Sequence, residues 1–139
     1  MTFSIDKTYL TKATQELVQI NSINPSLSAD GKGEAEIGTY VADSLNTLGL
    51  DVELSEIAPG RFNVVGTLKG SGGGRSLLLN AHMDTVGVDG MTIDPLGGDL
   101  RDGRVYGRGS QDMKGSLAAM MAAAKALVDA GITLRSEEH

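Results

Sequence analysis

His82 and Asp84 stand two positions apart at the end of the apolar run "LLLNAHMDTV" (77–86), and Asp112 follows in "YGRGSQDMKGS" (106–116). In an extended strand, residues i and i+2 share a face, so His82 and Asp84 can point into one site. A neutral imidazole is the commonest protein ligand for zinc, and a nearby carboxylate usually takes its second N–H and fixes the tautomer. Asp84 is spaced for that part. The plainer reading is a partly buried histidine at a strand end, hydrogen-bonded to a carboxylate for stability. Asp112 is open in the same way. It follows two glycines that let the backbone turn tightly, and its two oxygens could bridge two divalent ions. On spacing alone, however, an aspartate just ahead of a helix is an ordinary N-cap. Lys114 then falls in the helix's first turn, where a positive charge opposes the helix dipole with no evident packing reason.

Other chemistries fit less well. "GSGGGR" lacks the third glycine of a dinucleotide fingerprint, and "GRGSQDMKGS" puts Lys before Gly, the reverse of a phosphate-binding loop. Asp112 would also repel a phosphate. No G-x-S-x-G is present, and the second histidine is the terminal His139. Met83, Met91, Met120 and Met121 read as core or gap-filling residues.

The elements that must position these residues follow from periodicity. Leu10, Thr14, Leu17 and Val18 predict a first helix with Asp6 as its N-cap, ending before "NSINPS" because Pro25 pushes Asn24 toward extended geometry. Ile37, Val41, Leu45 and Leu48 predict a second helix over 34–48, closed by Gly49. "DVELSEI" alternates as a half-buried strand, and "FNVVGTLKG" is a second strand. "SLLLNA" has the pattern of a strand covered on both sides. Asp102-Gly103 marks a hairpin turn. A last helix over 113–130 is apolar nearly all round and is expected to be buried, with Gly131 as its cap. The tail "GITLRSEEH" reads as the approach to a further strand. Helices on either side of a run of strands predict an α/β sandwich, with neither repeat nor linker.

Composition narrows the classes. The 139 residues are 40% hydrophobic and 22% charged, as in ordinary globular domains. A formal charge of −6 argues against a nucleic-acid surface or an anionic membrane. Cysteine is absent, so any metal is held by His and carboxylates. The start "MTFSIDKTYL" has no signal pattern, and "LAAMMAAA" is too short to span a bilayer, so a cytoplasmic soluble protein is expected.

Together, "RFNVVGTLKGSGGGRSLLLNAHMDTV" and "IDPLGGDLRDGRVYGRGSQDMKGSLAAMMAAAKAL" resemble the N-terminal part of the metal-dependent aminoacylase and carboxypeptidase family, which includes acetylornithine deacetylase, succinyl-diaminopimelate desuccinylase, glutamate carboxypeptidases and several dipeptidases. The resemblance is tight from Arg61 to about Val128 and looser over the N-terminal helices. Ala81 stands where Gly is usual and Leu96 where Phe is usual. The resemblance implies a three-layer α/β sandwich with a mixed sheet, of the zinc-exopeptidase-like catalytic type. It implies that His82 binds one of two Zn2+ ions (Co2+ or Mn2+ as substitutes), that Asp112 bridges both, and that Asp84 orients His82. It also implies a cis Asp112–Met113 peptide. The activity implied is hydrolysis of N-acyl amino acids or small peptides by a metal-activated water, with a glutamate as general base.

By the same comparison the family's Glu-Glu pair follows a further strand. Glu137 and Glu138 stand only 25 and 26 positions after Asp112 and read as a solvated tail. Residues 1–139 are therefore expected to be the N-terminal portion of the catalytic domain. The rest of that domain and the lid with its dimer contacts would be absent, the chain inactive alone and a longer form a homodimer. The alternative is a non-catalytic α/β domain that keeps the scaffold for binding or interaction.

Overall fold

A computed structural model describes residues 4–135. The first helix, α1 (Lys7–Gln19), starts as expected: the Asp6 carboxylate accepts from Tyr9 N–H at 2.9 Å, satisfying one of the orphan donors of the first turn. The second, α2 (Ala35–Thr47), lies over an antiparallel hairpin of β1 (Asp51–Ala58) and β2 (Arg61–Thr67), in register from Asp51 opposite Thr67. Gly38 makes that approach possible. A Cβ there would stand 3.3 Å from Leu54 Cδ1 and 3.4 Å from Phe62 Cβ. That closeness gives a reason for glycine inside a helix it otherwise weakens.

A second hairpin pairs β3 (Asp99–Arg101) with β4 (Arg104–Tyr106). Asp102 and Gly103, at φ 52° and 72°, form the turn that this dipeptide predicts. A wide turn over Ser110–Lys114 then leads into α3 (Gly115–Asp129), which packs on α1. The core lies where α1, α2 and α3 meet, at Ala13, Leu17, Ile37, Val41, Leu117, Ala118 and Met121. No helix among the described residues is long and apolar enough to cross a membrane.

The α/β class holds, and the sheet component among the described residues is two small antiparallel pairs. Two expectations need correction. "SLLLNA" is not a covered strand: residues 76–81 carry no strand pairing, and Leu77 and Leu78 are 82% and 83% exposed. The run has strand character, but no neighbouring strand among the described residues pairs with its backbone or covers its faces. Nor is α3 buried all round. Leu117, Ala118, Met121, Ala122 and Ala126 are covered, while Ser116 and Ala119 on the other side and Val128 in the last turn are exposed. One helical neighbour covers one face. The segment after α3 is tied back at Ser71, whose N–H and Oγ–H donate to the Leu134 carbonyl at 2.8 and 3.3 Å; Glu137, Glu138 and His139 lie outside the described residues.

These burial differences give opposite expectations for two leucines. Leu17→Ala, at a fully buried site, is expected to lower stability by about 2–5 kcal/mol. Leu78→Ser is expected to change it by less than about 0.5 kcal/mol. Urea unfolding midpoints of the two variants check this directly, and a large loss in Leu78→Ser would restore the covered strand.

Candidate metal centre

The segment after Leu79 turns from exposed to anchored. Ala81 and Met83 pack on the core, while His82 and Asp84 face a cleft on the other side, the alternation of an extended chain. A parallel bridge pairs Ile23 with Thr85: Thr85 N–H donates to the Ser22 carbonyl at 3.0 Å and Asn24 N–H to the Thr85 carbonyl at 2.8 Å. Ser22 Oγ–H donates to the Met83 carbonyl at 2.8 Å. The loop after α1 therefore holds the segment in place.

The wide turn brings in Asp112. Its backbone (φ −124°, ψ 96°) is non-helical, the Asp112–Met113 peptide is cis, and α3 has no side-chain N-cap bond. Asp112 is thus not an ordinary cap. Its side chain, 86% exposed, places Oδ1 3.0 Å from His82 Nε2. On the other side of the ring, Nδ1 lies 3.0 Å from the Asp84 carbonyl and 3.2 Å from Asp84 Oδ1.

Lys114, an anomaly in the sequence, has a structural explanation. Its side chain is 1% exposed, and Nζ–H donates to the Ile20 carbonyl, the C-cap of α1, at 2.7 Å. A cation at the negative end of α1 is favourable. The stem also fills the space beneath Gly109, where φ is 81° and a Cβ would meet Thr85 Cγ2 at 2.7 Å and Lys114 Cδ at 3.1 Å.

The cleft has a volume of about 440 Å3 and is lined by His82, Asp84, Thr85 and the turn Gly107–Asp112. Its donors are one imidazole nitrogen and one carboxylate, a set suited to zinc. Two donors about 2.1 Å from a tetrahedral ion lie about 3.4 Å apart, so this pair would need to open by only about 0.4 Å. The pair fits part of a metal site. Among the described residues no cluster of three or more His, Cys, Asp or Glu completes it.

Three residues around the site were not foreseen in the sequence. Asn24 Nδ2–H donates to Asp84 Oδ2 at 2.7 Å, Arg61 Nη2 lies 3.8 Å from the same oxygen, and Arg61 Nε is held by buried Glu34 at 2.6 Å. No local pattern marks them. Asn24 is read only as the residue before a proline, Glu34 only as the start of a helix, and Arg61 only as the start of the stretch that carries the resemblance.

An imidazole and a carboxylate thus converge on the cleft, with a second carboxylate behind the ring. Residues 78–137 match peptidase family M20/M25/M40. The chain is 36% identical over 116 residues to N-formyl-4-amino-5-aminomethyl-2-methylpyrimidine deformylase of Halalkalibacterium halodurans, covering 80% of this chain and 27% of that protein. It is 36% identical over 111 residues to acetylornithine deacetylase of Vibrio vulnificus, covering 78% and 29%. The structure matches an M20 family metallo-carboxypeptidase, Sso-CP2 of Sulfolobus solfataricus, with a TM-score of 0.75 and 27% identity, over 88% of this chain and 28% of that one. The chain is similar to these proteins over most of its own length, and it spans 27% and 29% of the length of the two curated relatives.

Two groups give the fold opposite pH slopes. Burial pulls the His82 imidazole down, but the hydrogen bonds to the Asp84 carbonyl and Asp112, with both carboxylate charges, outweigh it and raise its pKa above 6.5. The folded chain then holds a proton the unfolded chain loses, so this stability is full below 6.5 and is lost as pH rises through the raised value. Burial lowers Lys114 to about 8 from 10.5. Above about 8 the unfolded chain binds the extra proton, so stability rises with pH, until the raised Tyr9 and Tyr40 oppose it above 10. Urea midpoints across this range should lose the falling component in His82→Gln and the rising one in Lys114→Met. Unchanged profiles would contradict these environments.

Proposed function

We propose that residues 1–139 provide one side of the active site of a metal-dependent amide hydrolase. In this reading His82 would hold one metal ion through Nε2, Asp112 would serve as a carboxylate ligand shared by two, and Asp84 would orient the imidazole. The supporting observation is the convergence of His82 Nε2 and Asp112 Oδ1, 3.0 Å apart on the cleft, with Asp84 behind the ring. The relatives' names denote a deformylase, a deacetylase and a carboxypeptidase, so the substrate class is an N-acyl amino acid or small peptide. Zn2+ is the preferred metal for this N/O donor set, with Co2+ or Mn2+ as substitutes. When bound, such ions act as Lewis acids on a carbonyl oxygen and lower the pKa of water.

The chain's own residues prepare the site. Asp84 accepts the Nδ1 proton, which leaves the Nε2 lone pair facing the cleft. Asp112 contributes a carboxylate whose one close polar neighbour among the described hydrogen bonds is His82 Nε2. Residues 1–139 serve in this reading as the N-terminal portion of the catalytic domain. The remaining ligands, the general-base glutamate, the lid and any dimer contacts belong to the larger share of the relatives' length that this chain does not span.

The ligand assignment is tested by Zn2+ titration of the 139-residue chain followed calorimetrically. Wild type should bind weakly, and His82→Gln and Asp112→Asn should each weaken binding by about tenfold or more. Equal affinity in all three would discard the assignment. The chain alone should not hydrolyse N-acetyl amino acids, and turnover with stoichiometric zinc would refute the reading of it as one side of a site.

A further inference from the structure

We infer that Asn24 and Arg61 are positioning residues that fix Asp84 so that the His82 imidazole keeps its proton on Nδ1. The inference rests on the role proposed for Asp84. The two oxygens of that carboxylate have separate tasks. Oδ2 accepts from Asn24 Nδ2–H at 2.7 Å and faces Arg61 Nη2 at 3.8 Å. Oδ1 faces His82 Nδ1 at 3.2 Å. With Oδ2 accepting the Asn24 hydrogen bond and facing the Arg61 charge, the carboxylate is restrained from swinging away from the ring.

Both donors are anchored. Asn24 N–H donates to the Thr85 carbonyl at 2.8 Å, and its Oδ1 accepts from Ser26 N–H at 2.9 Å, so only the amide NH2 is directed at Asp84. Arg61 is held by Glu34, whose two oxygens lie 2.9 and 2.6 Å from Nε and which is 5% exposed. Glu34 offsets the guanidinium charge, so Arg61 directs a donor at Asp84 without a full uncompensated positive charge beside it. Asp84 thereby keeps its negative charge toward the ring.

The neutral imidazole can place its single proton on Nδ1, toward Asp84, or on Nε2, toward Asp112. Asp84 offers two acceptors, its carbonyl and Oδ1, at a side chain 25% exposed, whereas Asp112 offers one at 86% exposure. Less screening by water makes the Asp84 side stronger, and the Nδ1–H form is the one with a free Nε2 lone pair for a metal.

The readout is the His82 tautomer by long-range 1H–15N correlation on the metal-free chain at about pH 9, where the imidazole is neutral. Asn24→Asp retains the Ser26 contact but removes the donor. The double variant Glu34→Gln/Arg61→Met removes the second donor without leaving a buried charge unpaired. Wild type should show mainly Nδ1–H. Each variant should move His82 toward Nε2–H, with backbone amide shifts of α1 and α3 unchanged, and weaken Zn2+ binding by about 10–100-fold, as outer partners of ligating histidines do. Retention of Nδ1–H in Asn24→Asp would overturn the inference, whatever the double variant does. Failure of the metal reading shows separately, as unchanged zinc affinity in His82→Gln.

Discussion

Residues 77–85 run extended, yet the first part of this stretch carries no strand pairing, and its leucines face solvent. What fixes the site is the short parallel tie between Ser22–Asn24 and Met83–Thr85, two backbone bonds and the Ser22 hydroxyl. Because side chains alternate along an extended chain, this tie sets which residues face the core and which face the cleft. A slip of one residue would exchange His82 and Asp84 for Ala81 and Met83. Asn24, part of the same tie, then holds Asp84 directly, so one loop sets both the register and the carboxylate.

The second anchor is Lys114. Burying a lone ammonium is costly, and the lowering of its pKa to about 8 expresses that cost. The carbonyl of Ile20 at the end of α1 offsets part of it, and Ile20 immediately precedes the loop that carries Asn24. Asp112, two residues before Lys114, is therefore referred to the same end of α1 as Asp84. The two sides of the imidazole converge on one structural point although thirty residues separate His82 from Asp112.

Much of this was legible because it is local. Asp6 as a cap, the stripes of α1 and α2, and Asp102-Gly103 as a turn each depend on a few neighbouring residues, and each appears as read. The alternation that sends His82 and Asp84 to one side is equally local. The misread elements depend on what lies beside them. "SLLLNA" has the apolar run of a covered strand, but covering requires partners that no short window encodes. Lys114 looked anomalous because the carbonyl that receives it is 94 residues away. Asn24, Glu34 and Arg61 were missed for the same reason: their chemistry lies in a juxtaposition across α1's loop and β2, not in a motif.

The two carboxylates flanking His82 are chemically alike and physically opposite. Asp84 is three-quarters covered and held by an amide and a guanidinium, so moving it would break contacts to two other elements. Asp112 is mostly exposed on a turn whose backbone is non-helical, and among the described residues its one close polar neighbour is the imidazole. A carboxylate that must orient a ring benefits from being fixed. One that must share its oxygens with cations benefits from being free of other donors, since every hydrogen bond it already accepts competes with a metal for the same lone pairs. The fold supplies one of each, on opposite sides of a single imidazole, and that asymmetry distinguishes the arrangement from a histidine merely neutralised between two acids.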